Sequence, residues 1–98
     1  MNMYVRIHSH GEERIVAACD EDILGQTFRE GPAKITVHEA FYKGESLEEE
    51  AFIQRLGIAT IINLVGNDVV DIAIREGFVS SDSVLVIGGV KHAQAVLM

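Results

Sequence analysis

Along the first residues of the chain, apolar and polar side chains alternate. Met3, Val5 and Ile7 fall on one side and Tyr4, Arg6 and His8 on the other, a period of two that predicts a half-buried strand over residues 3–9. His10-Gly11-Glu12 supplies a turn, and the apolar, β-branched run from Arg14 to Cys19 predicts the antiparallel return strand. Asp20-Glu21-Asp22 ahead of Ile23-Leu24 reads as a capped helical turn, because a carboxylate can accept from the free backbone N–H groups there. Gly31-Pro32 breaks the chain, and the alternation from Lys34 to His38 predicts a third strand with Ile35 and Val37 inward.

The period then changes. Ser46 with Glu49 three residues on matches a capping box, and Ala51, Phe52 and Leu56 supply an apolar helical stripe. Ile58, Ile61, Ile62 and Val65 fall at i, i+3, i+4 and i+7, which predicts a second helical segment. Gly66-Asn67-Asp68 ends it and opens a third helix, whose Val69, Val70, Ile72, Ala73 and Ile74 span a wide apolar arc and imply deep burial. Gly77 and Phe78 suit that helix's C-terminal end. Val84 to Ile87 is an unbroken apolar run, the pattern of a strand covered on both faces; Gly88-Gly89 follows it, and His92 to Leu97 supplies a last strand. Strands first and last with helices between predict an α+β fold. The expected form is a two-layer sandwich, a mostly antiparallel sheet with helices packed on one face.

Composition narrows the functional classes. The 98 residues are expected to form a single domain, 1–98, and 48% apolar content is enough for a core without metals or disulfides. One cysteine cannot form an intramolecular disulfide. With no signal-like start and no apolar run near the ~18 residues of a membrane span, a cytoplasmic protein without membrane contact is expected. The longest candidate, Ile58 to Val65, is interrupted by Thr60 and Asn63. A net charge of −7 is opposite in sign to the footprint of proteins that neutralise phosphates, so direct nucleic-acid binding is not expected.

Four segments carry a family resemblance: Ala17-Ala18-Cys19-Asp20-Glu21-Asp22-Ile23-Leu24-Gly25, Phe28-Arg29-Glu30-Gly31, Asn63-Leu64-Val65-Gly66, and Ile87-Gly88-Gly89-Val90-Lys91-His92-Ala93-Gln94. Together they resemble DUF424, a family of small archaeal proteins of unknown function. The resemblance runs from Met3 to Met98 and implies a compact two-layer α/β fold in an archaeal cytosol, with translation as the setting for a protein partner. It carries over no catalytic residues.

Chemistry is sparse along the chain. Gly88, Gly89, Lys91, His92 and Gln94 form the expected ligand or partner site. Two glycines after a strand leave backbone N–H groups open to an anion, and Lys91 and His92 add positive charge. Cys19 beside Asp20 invites a nucleophile reading, but acidic neighbours raise a thiol's pKa and alternation puts Cys19 on the core side with Ile15 and Ala17. His8 and His10 point the same way along a strand and make half of a metal site, so no metal or other cofactor is expected. Thr60, Asn63 and Asn67 form one polar line if their segment is helical. Without a nucleophile, base and orienting group in a recognisable set, the expectation is a non-enzymatic binding or accessory module. The alternative is a small metal-dependent enzyme, or one using His92, His8 or Asp20.

Overall fold

The computed structural model describes residues 2–97, and in it the opening alternation forms strands β1 (Asn2–His10) and β2 (Glu13–Asp20). They pair antiparallel from Met3 opposite Asp20 to His10 opposite Glu13. A 3₁₀ turn (Glu21–Ile23) leads to β3 (Thr27–Glu30) and β4 (Ala33–Thr36), so the break at Gly31-Pro32 is the tip of a small hairpin. One helical turn, α1 (Glu39–Tyr42), is followed by β5 (Glu45–Glu48), α2 (Glu49–Leu56), β6 (Ile61–Val65) and α3 (Asn67–Arg75). A second 3₁₀ turn precedes β7 (Leu85–Ile87) and β8 (Val90–Val96). The main sheet has six strands in the order β5-β1-β2-β6-β8-β7, and β2 with β6 is its parallel pair. This is the mixed α+β architecture that the pattern of strands and helices implies.

Strand alternation gives each sheet face its own core. On the helix face Met3, Val5, Val16, Ala18, Ile62, Leu64 and Ala93 meet Phe52 and Leu56 of α2 and Val69, Val70, Ile72 and Ala73 of α3. On the hairpin face Ala17, Cys19, Val65 and Val90 meet Val37, Tyr42 and the half-buried Phe28, Ile35 and Phe41. Side chains such as Phe52, Leu56, Ile62 and Leu64 are fully enclosed, each contributing roughly 1.5–3 kcal/mol of apolar burial. The helix α3 ends as the sequence implies, with the Phe78 N–H reaching back to the Ala73 carbonyl. Among the described residues no helix is long and apolar enough to cross a membrane.

Three expectations change. Ile58 to Val65 does not form a helix: its core is the central strand β6, whose Ile62 and Leu64 pack under the helices and Val65 against the hairpin side, where β-branched isoleucine and valine fit. Conversely, Val84 to Ile87 is not a doubly covered strand. β7 is a three-residue edge strand, and it leaves Leu85 and Val86 60% and 52% exposed. Ser46 caps no helix; it lies in β5, donates to Glu21 Oε2 at 2.7 Å and accepts from the Asn2 amide at 3.1 Å.

The two apolar runs therefore differ sharply in what a charge would cost. Ile72→Asp should unfold the domain or destabilise it by at least about 3 kcal/mol, because the carboxylate has no partner in the core. Leu85→Asp should shift stability by about 0.5 kcal/mol or less. Urea unfolding of both variants measures the difference.

Candidate functional site

Gly88 and Gly89 form the two-residue turn between β7 and β8, both with positive φ (58° and 81°), the backbone that a tight hairpin requires. The open side of this turn faces the β3–β4 hairpin. The Gly88 N–H donates to Glu30 Oε1 at 2.9 Å, and a Cβ at Gly88 would lie 2.9 Å from the Arg29 carbonyl oxygen. Asn67 braces the turn from α3, donating to the Gly89 carbonyl at 3.3 Å and accepting from the Lys91 N–H at 2.9 Å.

Beyond the turn, alternation along β8 divides the expected site residues between the sheet's two faces. Lys91 lies on the helix side, its Nζ 2.6 Å from Asp71 Oδ1. His92 and Gln94 lie on the hairpin side, where the half-buried His92 donates from Nδ1 to the Leu64 carbonyl at 2.9 Å. Lys91 and His92 thus have partners within the chain, while Gln94 is exposed.

Cys19 and Asp20 are buried back to back at the end of β2. The Asp20 carboxylate accepts from the N–H groups of Asp68 (3.1 Å) and Val69 (3.0 Å), so it caps α3 from across the sheet rather than the turn that follows it in sequence. Burial holds this carboxyl above the usual range; the two N–H bonds oppose that shift, and the neighbouring charges of Asp68 and Asp22 add to it. Gly66 makes the contact possible: its φ is 131°, and a Cβ there would come within 2.5 Å of the Asp20 carboxyl carbon. His8 stacks on Phe41 with ring centroids 4.7 Å apart, its Nε2 2.8 Å from the Phe41 carbonyl oxygen, while His10 is exposed near the β1–β2 turn. Among the described residues no three His, Cys, Asp or Glu side chains gather as metal ligands would.

What the structure assembles instead is a cleft of about 350 Å³ on the hairpin side of the sheet, beyond the cover given by α1. Ile15, Ile61 and Val96 supply its aliphatic surface, Phe41 an aromatic border, and the cross-strand neighbours Asn63 and Gln94 two carboxamides. Among the described residues no ionisable side chain lines it. Tyr42 Oη donates to Asn63 Oδ1 at 2.5 Å, which fixes the Asn63 carboxamide and leaves its N–H groups for the open side. The helical reading grouped Asn63 with Thr60 and Asn67. In the structure Thr60 accepts from the Arg14 N–H and Asn67 braces the glycine turn. Reading Ile61 to Val65 with a period of two would have placed Ile61 and Asn63 on one face and exposed the signal.

The buried thiol and phenol behind this face set a pH dependence. Burial, then the charges of Asp20, Glu21 and Asp22, push the Cys19 thiol from 9.0 up to about 12. Burial likewise lifts the Tyr42 phenol above its ordinary 10.0. Above about pH 9 the unfolded chain releases these protons while the native state keeps them, so stability is full below that pH and falls as pH rises toward 12. Urea unfolding should show this alkaline loss, and Cys19→Ala should make it shallower. The thiol should resist alkylation until the protein unfolds.

Comparisons with known proteins agree with this architecture. A solved structure described as an uncharacterized conserved protein from Methanopyrus kandleri is similar to this chain, with 25% identity, a TM-score of 0.84, and coverage of 100% of this chain and 93% of that one. No curated protein matches the sequence. The model of the family described as "Protein of unknown function (DUF424)" matches residues 7–98, and the chain belongs to that family.

Proposed function

We propose that this protein is a binding or accessory module that recognises a protein partner through the cleft between Phe41 and β8. The observation that carries this reading is the lining: aliphatic side chains, one aromatic ring and two carboxamides, with no ionisable group among the described residues. Such a surface holds and orients an apolar side chain, and offers no side chain suited to proton transfer or nucleophilic attack at neutral pH. The residues that the sequence offered for such chemistry, Asp20, His92 and His8, are each hydrogen-bonded to the chain's own backbone. The cytoplasm and the translation machinery are the setting this reading carries over from the family resemblance.

A photo-crosslinking residue placed at Gln94 tests it. In native lysate it should give a discrete protein adduct that disappears when Ile61→Glu is added, while the same residue at Glu50, on α2, should give none. Equal labelling from both positions would remove the cleft as the binding site. Charge supplies a second check: with a net −7, the protein should not retard labelled RNA or DNA in a gel. Submicromolar, salt-sensitive retardation would contradict a purely protein-directed module.

A further inference from the structure

The outer edge of β8 is covered for only part of its length. β7 pairs with Val90, Lys91 and His92 and goes no further, so among the described residues no strand lies on that side from Ala93 to Val96. Which backbone groups face outward follows from the ladder on the other side. The Gly66 N–H bonds the Lys91 carbonyl at 2.9 Å and the Leu97 N–H bonds the Thr60 carbonyl at 2.7 Å, at the two ends of the β6–β8 register. In an antiparallel pair these groups alternate, so Lys91, Ala93, Ala95 and Leu97 are directed to β6. Gln94 and Val96 direct their N–H and C=O groups outward.

These same two residues carry side chains into the cleft, and Val96 is 70% exposed. Exposed edges are commonly protected by charge, proline or a covering element. Ala93-Gln94-Ala95-Val96 contains neither a charged residue nor a proline.

We propose that the partner is held by strand addition: an extended segment pairs with the outer edge of β8 at Gln94 and Val96, in line with β7, and places an uncharged apolar side chain in the cleft. This deepens the proposed function and rests on it. Side chains opposite Gln94 and Val96 point to the cleft side, so the segment needs uncharged, mainly apolar residues two positions apart. A second copy of this chain would bring another −7 to the edge. Charge complementarity therefore assigns the segment to a different protein, with net positive charge around the uncharged stretch.

Selection of random dodecapeptides displayed on phage against the full chain tests this, followed by NMR mapping and amide hydrogen exchange with the selected peptides. Enriched peptides should carry apolar residues two apart and net positive charge, and should shift the Ile61 and Asn63 resonances. They should also abolish fast exchange at the Gln94 and Val96 amides without altering Ala95. Val96→Pro, which removes an outward N–H and no internal bond, should weaken binding about tenfold, as one lost main-chain hydrogen bond would. N-methylating the peptide at alternate positions tests the same bonds without changing the protein. Peptides that occupy the cleft but leave those two amides exchanging freely, and tolerate N-methylation, would overturn strand addition while leaving the binding module intact. Peptides that map elsewhere, or no enrichment over an Ile61→Glu control, would overturn both.

Discussion

A carboxylate at the end of β2 ties the helix layer to the sheet. Asp20 is 8% exposed and accepts two N–H groups from the first turn of α3, where the helix dipole favours negative charge. Through it β2 fixes where α3 starts, and α3 then lays Val69, Val70, Ile72 and Ala73 over the helix face of the sheet. Gly66 is the geometric condition, since it turns the chain from β6 into α3 and leaves the space the carboxylate fills. The contact is a compromise. Desolvation works against the ionised form and the two hydrogen bonds work for it, with burial the larger effect.

How much of this could be read from the sequence depended on how local each signal was. The β1–β2 hairpin was legible because Met3 to Ile7 alternate and a turn follows. Helix α3 was legible because its apolar arc and its end at Gly77 agree. β6 was misread because four β-branched residues happen to satisfy a helical spacing as well as a central strand, and only the position between β2 and β8 decides between them. Val84 to Ile87 failed for the opposite reason: apolarity reports hydrophobic residues, not how many neighbours a strand acquires. The role of Asp20 was hidden because its partners, Asp68 and Val69, lie far along the chain.

The same distinction applies to the site. Gln94 was singled out in the sequence together with Lys91 and His92; strand alternation puts Lys91 on the other face and sets Gln94 beside Asn63. Lys91 has Asp71, His92 has the Leu64 carbonyl, and the Gly88 N–H has Glu30. What stays open is less conspicuous in a sequence: aliphatic residues on one strand face beside two carboxamides. Tyr42 gives that surface definition, because its hydroxyl anchors one carboxamide from the buried side.

The parallel pairing of β2 with β6 also bears on how the chain folds. It aligns Ile15 with Ile61, positions separated by 46 residues, whereas β1 and β2 meet across a tight turn. A hairpin can form as soon as its two strands leave the ribosome, but the inner edge of β2 has no mate until the following half of the chain has been made. Until then a run that includes Val16, Ala17, Ala18 and Cys19 has an unpaired edge. Pairing at such separation is slow to form and open to wrong association while it waits. The β2–β6 pairing is thus a longer-range step than the hairpin, and in the interval before it this edge of β2 is open to wrong association.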